Sequence, residues 1–285
     1  MVKQGTVPCR NCPAAISNPN PVEMLMPNGS RRILLHYDTM NNPTRTQHGL
    51  DKQLYSNDDG LSWMVEGNES TIVYPPNANN GGLIGPSVGI QSSSSGTVYF
   101  SVNSLGSHFL YWTHDFGKTY QSSNPIKQGL NECSIAFVHK HRPNSDIVMN
   151  CRSSLYHKRA QLMWHANGTI KTNITYPVGL DVDAQCQGSI LNHGAGDELY
   201  VSHANSTQSR THMAVQKSID HGKTWTPHQS IWQGPSAYSQ LFSVDQDTIG
   251  LLFECGKDNP YETISFTTFS AGAVAAPSRL SVPPP

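Results

Sequence analysis

Apolar residues in this chain fall into short blocks rich in Val, Ile, Leu, Phe and Tyr, separated by Gly, Asn, Asp and Ser. Residues 98–102, 108–113, 147–151, 198–202 and 249–254 have the length and composition of strands. Residues 33–37, after Arg31 and Arg32, add another, expected to be an inner strand. No block sustains the period of an amphipathic helix, and none approaches the length of a membrane span. The pattern predicts an all-β chain of short strands and tight turns.

One octapeptide recurs within that pattern. Ser56-Asn57-Asp58-Asp59-Gly60-Leu61-Ser62-Trp63 is the first copy, Thr113-His114-Asp115-Phe116-Gly117-Lys118-Thr119-Tyr120 the second, and Ser218-Ile219-Asp220-His221-Gly222-Lys223-Thr224-Trp225 the third. A decayed copy at Trp164-His165-Ala166-Asn167-Gly168-Thr169 keeps the Gly and Thr but lacks the Asp. The copies start at 56, 113, 164 and 218, a repeat of roughly fifty-odd residues, which suits one four-stranded propeller blade. The chemistry suits a hairpin turn. Gly supplies positive φ, the Asp carboxylate accepts backbone N–H groups, and the closing aromatic starts the next strand and can wedge between blades.

Composition narrows the possibilities. Charged residues make up 14% of the 285 and the net charge is −1, so no bulk charge recruits nucleic acid. The 23 Gly and 19 Pro fit a turn-rich β protein. Residues 1–13 are polar, with no apolar stretch of the kind a signal peptide carries. Cys9 and Cys12 form half of a metal or redox motif without a second pair, so the six cysteines, these two with Cys133, Cys151, Cys186 and Cys255, are expected as scattered buried thiols or one or two disulfides. Asp58-Asp59-Gly60 is superficially similar to a calcium loop but lacks its remaining oxygen ligands and closing Glu.

The octapeptides resemble the Asp boxes of the sialidase (neuraminidase) superfamily. So do Gly85-Pro86-Ser87-Val88-Gly89-Ile90-Gln91, Asn131-Glu132-Cys133, Met149-Asn150-Cys151-Arg152, Cys186-Gln187-Gly188-Ser189, Gly234-Pro235-Ser236-Ala237-Tyr238-Ser239 and Leu251-Leu252-Phe253-Glu254, in that order. The resemblance runs from about residue 18 to 269 and is nearest to lysosomal-type exo-sialidases. It implies a six-bladed β-propeller over residues 1–275, of which about five blades are present, and a Pro-rich disordered tail at 276–285. It also implies a retaining glycoside hydrolase that releases terminal sialic acid from glycoproteins, glycolipids or oligosaccharides, with no cofactor or metal and in a lysosomal or secreted setting.

Residue by residue, Tyr238 matches the nucleophile and Glu132 the base that takes its proton. A neutral phenol suits a reacting carbon that bears a carboxylate, because a carboxylate nucleophile would be repelled. Arg152 and Arg210 match the second and third members of an arginine triad that clamps the substrate carboxylate, and Glu254 matches the acid that orients the first. The family's opening Arg-Ile-Pro motif and the aspartate acid/base before its first box have no counterpart here, so the first blade is expected to be incomplete. In a second alignment the Ser56 copy is the first box, Asp51 is the acid/base, and Arg31 or Arg32 is the first arginine. A non-catalytic propeller that binds sialylated or other acidic glycans is the alternative function.

Overall fold

The computed structural model describes residues 15–40, 48–65, 83–104, 107–126 and 129–272. Cys9, Cys12 and the Pro-rich tail lie outside these ranges. Among the described residues every regular element is a strand.

The strands form four antiparallel sheets in chain order. The first holds β1 (Ala15–Leu25), β2 (Arg31–Met40) and β3 (His48–Ser56). The second holds β4 (Leu83–Ile84), β5 (Ile90–Gln91), β6 (Val98–Ser104), β7 (Ser107–Thr113) and β8 (Gln121–Ser122). The third runs outward from β9 (Leu130–Phe137) through β10 (Ile147–Ser153) and β11 (Ala160–Trp164) to β12 (Ile170–Thr175). The fourth runs from β13 (Ser189–His193) through β14 (Glu198–Ala204), β15 (Thr211–Ser218), β16 (Thr226–Ser243) and β17 (Thr248–Cys255) to β18 (Thr263–Ser270). β16 pairs with β15 through its first half and with β17 through its second, which makes this sheet two packets joined by one long strand. Every strand expected from the hydrophobic pattern is present. Residues 33–37 sit centrally in their sheet, hydrogen-bonded on both sides.

The core is a series of interfaces between neighbouring sheets. Val22, Met24 and Leu34 meet Phe100, Phe109 and Tyr111. Tyr99, Leu110 and Trp112 meet Ile135, Met149 and Trp164, and Val138 and Val148 meet Ile190, Val201 and Trp225. A strand inside such a stack is covered on both faces. β7, Ser-His-Phe-Leu-Tyr-Trp-Thr, is accordingly buried at every position, whereas the outer β18 alternates between exposed and half-buried. Hydrophobic burial of this kind contributes roughly 1.5–3 kcal/mol per large side chain.

The octapeptides are the hairpin turns of this stack. In each, the first Ser or Thr hydroxyl accepts the Gly N–H at 2.9 Å, and the Asp accepts the N–H of the second Ser or Thr at 2.8–2.9 Å. Gly60, Gly117 and Gly222 all have positive φ, as does the residue before each. The closing aromatics Tyr120 and Trp225 wedge between sheets as expected. Trp63 departs from that expectation, being 40% exposed. In the decayed copy, Gly168 keeps its positive φ and Asn167 Oδ1 accepts the Thr169 N–H at 3.0 Å in place of an Asp.

The turns add an acid-sensitive component to stability. Burial raises the Asp220 pKa, but hydrogen bonds from Thr224, Ser218 and the Lys223 N–H outweigh it and hold the group at about 2. A depressed carboxylate stabilises the fold above its unfolded value of about 3.9, and that contribution is lost as pH falls towards the folded value. Asp220→Asn should therefore lower Tm at pH 6 and lower it much less near pH 2.5. A constant Tm gap across that window would contradict this account.

Candidate active site

Five residues singled out by the sequence come from four strands and one strand edge. Glu132 is on β9, Arg152 on β10, Arg210 immediately before β15, Tyr238 on β16 and Glu254 on β17. The structure brings them together. The Tyr238 hydroxyl donates to Glu132 Oε1 across 106 residues of sequence. Arg152 Nη1 donates to the other Glu132 oxygen at 2.9 Å. The Tyr238 N–H donates to Glu254 Oε2 at 3.1 Å. The Arg210 guanidinium stands 5.6 Å from the centre of the Tyr238 ring.

Two β-bulges produce this convergence. The β9–β10 ladder jumps from Cys133↔Cys151 to Leu130↔Ser153, so Asn131 and Glu132 oppose Arg152 alone. The β16–β17 ladder jumps from Ser236↔Cys255 to Ser239↔Phe253, so Ala237 and Tyr238 oppose Glu254 alone. A bulge re-aims side chains that strict alternation would send to opposite faces. Each bulge here places an acid beside a hydrogen-bond donor of the opposing strand, Glu132 beside Arg152 and Glu254 beside the Tyr238 N–H.

Burial holds the Tyr238 phenol above its usual range, and the charge of Glu132 adds to the effect. Tyr238 is therefore a neutral hydrogen-bond donor at rest. Beneath it, Cys186 packs against Ala204, Ala237 and Tyr238 as a free thiol. Burial pushes that thiol up to about 12, so it serves as a small neutral floor. A cavity of about 350 Å³ opens beside Tyr238 and Glu254, walled by Pro21, Pro86, Leu252 and Ile264.

The alternative first arginines have partners of their own. Arg31 pairs with Glu23, and Arg32 donates to Asn57 at 2.9 Å and covers the Tyr55 ring, so both are engaged around the first octapeptide. Asp51 lies opposite Asp38 in the β2–β3 ladder, and its side chain is outside the described residues. Among the described residues no cation pairs with Glu254, and no set of three His, Cys, Asp or Glu side chains converges as a metal site.

The geometry adds residues with no sequence signal strong enough to select them. Tyr261 Oη accepts a hydrogen bond from Arg210 Nη1 at 2.6 Å. Its loop is pinned by Glu262, which accepts the N–H groups of Lys257, Asp258 and Asn259 at 2.7–2.9 Å. Gln187, which lies in a segment already marked by the resemblance but receives no role from it, bridges the centre, donating to the Pro86 carbonyl at 3.1 Å and accepting the Ser239 N–H at 2.9 Å. Below it, the Arg159–Asp183 ion pair and His203 form a fully buried polar cluster, and Arg159 Nη1 also donates to the Cys186 carbonyl at 3.0 Å.

Comparison with known proteins agrees with this architecture. Residues 11–251 match the BNR repeat-like domain. A sialidase of Bacteroides fragilis (strain YCH46) is 27% identical over 213 residues, covering 70% of this chain and 38% of that protein. Human Sialidase-4 is 35% identical over 95 residues, 30% of this chain and 19% of its own length. Among solved structures, the Hadza microbial sialidase Hz136 superposes with a TM-score of 0.70 at 21% identity, covering 90% of this chain and 52% of that one. The intramolecular trans-sialidase of Ruminococcus gnavus superposes at 0.59 with 15% identity, covering 85% and 51%. The chain thus spans about half or less of the length of these relatives. With its repeated turns, stacked sheets and domain match, the chain belongs to the BNR repeat-like domain family and has the β-propeller fold of the sialidase superfamily.

Proposed function

We propose that this chain carries the nucleophile side of a retaining exo-α-sialidase site. The observation that carries the reading is the Tyr238–Glu132–Arg152 chain of hydrogen bonds, in which a half-buried neutral phenol donates to a carboxylate held by a guanidinium. In this reading Tyr238 Oη attacks the anomeric carbon of sialic acid as its proton passes to Glu132. The C–O bond to the leaving group breaks, and a proton is delivered to the departing oxygen. Water then attacks the same carbon and gives its proton back to the group that protonated the leaving oxygen, the bond from that carbon to Tyr238 Oη breaks as Glu132 returns its proton to that oxygen, and configuration is retained. Arg152 and Arg210 hold the substrate carboxylate through charge-assisted hydrogen bonds. Glu254 fixes the backbone at Tyr238. Asp51 is the candidate proton donor from the sequence.

A second reading, a propeller that binds sialylated or other acidic glycans without turnover, is favoured by one observation. Among the described residues Glu254 has no cation partner, and the arginines at the site are Arg152 and Arg210. Release of methylumbelliferone from its α-sialoside at pH 5, run beside thermal melts with free sialic acid, separates the readings. Turnover supports the enzyme. A raised Tm without turnover supports the binder. Neither signal would remove both.

Tyr261 is assigned here to orienting Arg210. Tyr261→Phe removes one hydrogen bond that solvent exposure holds to ~1 kcal/mol, so KM, or Kd for sialic acid, should rise roughly threefold to tenfold with kcat little changed. An unchanged KM would remove Tyr261 from the site.

A further inference from the structure

We propose that the Cys133–Cys151 disulfide is the positioning device of the Glu132–Arg152 pair, so that the chemistry at Tyr238 depends on this cystine remaining oxidised. The inference rests on the sialidase reading for its kinetic test but not for its structural one. Cys133 and Cys151 face each other across the β9–β10 ladder and are joined in a disulfide. They form the last regular pair before the bulge. The next two residues of β9, Asn131 and Glu132, share one partner position, Arg152. Neither Glu132 nor Arg152 therefore has a ladder partner of its own, and their relative position is inherited from the pair beside them.

That inheritance matters because Glu132 meets two demands at once. One of its oxygens takes Arg152 from the adjacent strand, and the other takes Tyr238 from a different sheet. Any slack between β9 and β10 would be felt at the Tyr238 contact. Hydrogen-bonded ladders loosen beside a bulge, where pairing is interrupted. A covalent tie at the last pair prevents that. The far side of the bulge is held separately, by the Asn131 carbonyl accepting from His108 Nε2 at 2.7 Å and by Asn131 Oδ1 accepting the Glu132 N–H at 2.9 Å. The second bulge has no such tie. Cys255, paired with Ser236 next to it, is a free buried thiol, and Gln187 and Glu254 anchor that strand by hydrogen bonds. Cys133 and Cys151 are both buried in the apolar cluster between the second and third sheets. They act through Glu132 and Arg152 and are positioning residues.

The test uses a water-soluble phosphine reductant. The phosphine donates two electrons to the S–S bond, the two sulfurs take up two protons as thiols, and water supplies the oxygen of the phosphine oxide. The comparison variant is Cys133→Val/Cys151→Val, which retains an apolar cross-strand pair without the bond. Both proteins are assayed below their Tm, with kcat and KM for the methylumbelliferyl sialoside. In parallel, the Tyr238 signal is followed by NMR after ¹³C-tyrosine labelling and assigned with Tyr238→Phe. On reduction, the parent's kcat/KM should fall at least about tenfold, mostly in kcat, and the Tyr238 signal should move. The Val/Val variant should start low and ignore the reductant. Unchanged kinetics and an unmoved signal in the reduced parent and in Val/Val would overturn the proposal. Should the parent show no turnover, the NMR signal decides alone. A shift on reduction upholds the positioning role while the sialidase reading fails, and no shift overturns the role as well.

Discussion

Tyr238→Phe is expected to lower kcat for a sialoside by at least ~10³-fold while leaving the fold and the binding of free sialic acid nearly intact. The substitution deletes one oxygen. The ring remains to fill its site over Cys186 and beneath Arg210, so packing is conserved. Glu132 keeps its Arg152 partner, so no buried charge is stranded. What disappears is the atom that, in the proposed mechanism, forms the covalent bond. Glu132→Gln should cost less, on the order of 10²–10³-fold, because in the proposed mechanism it removes proton transfer and leaves the nucleophile. The two residues act as one unit, so the double variant should be no slower than Tyr238→Phe alone, a strongly non-additive result. Kinetics on the sialoside with parallel melts check all three variants. If Tyr238→Phe stays within tenfold of the parent, the nucleophile is another group.

The second large effect is on stability. Asp183→Ala should lower unfolding free energy by about 3–5 kcal/mol, because it strands a guanidinium that is itself fully buried. At roughly 2–4 °C per kcal/mol for a domain of this size, Tm should fall by about 10 °C. Burial raises the Asp183 pKa, but the Arg159 charge and the His203 hydrogen bond outweigh it and hold the group below the usual carboxylate range. Burial also lowers His203, which is therefore neutral. Both folded values lie below the unfolded ones, so both contributions are present at high pH and lost as pH falls. The decline begins below about pH 6.5 for His203 and about pH 4 for Asp183. Asp183→Ala should flatten the acid limb of a Tm-against-pH curve. Arg159→Met/Asp183→Leu, which removes both charges, should recover much of the loss. A Tm drop under 2 °C for Asp183→Ala would show that the cluster is not holding the fold. The cluster also reaches the site, since Arg159 grips the Cys186 carbonyl next to Gln187, and Gln187 holds the backbone at Ser239 beside Tyr238.

Much of this protein is determined by sequence alone, where the information is local. An octapeptide with Gly at a positive-φ position and an Asp that caps its own turn forms a hairpin wherever it occurs, so three copies at regular spacing establish a repeated β architecture. Blocks such as Ser107–Thr113 are strands buried on both faces for equally local reasons. The site residues could be named by resemblance, but period-2 alternation alone does not bring them together. Glu132 and Arg152 become neighbours through one bulge, and Tyr238 and Glu254 through another. Where a ladder slips by one residue depends on the balance of packing across two sheets, which no local spacing encodes. The Cys133–Cys151 bond, the Tyr261 contact to Arg210 and the Arg159–Asp183–His203 cluster join strands or loops whose separation in sequence carries no periodic signal. The turns and strands were thus determined by the sequence, and the meeting of phenol, carboxylate and guanidinium by the tertiary structure, because a turn needs only its own residues while a site needs the registers of several strands to agree.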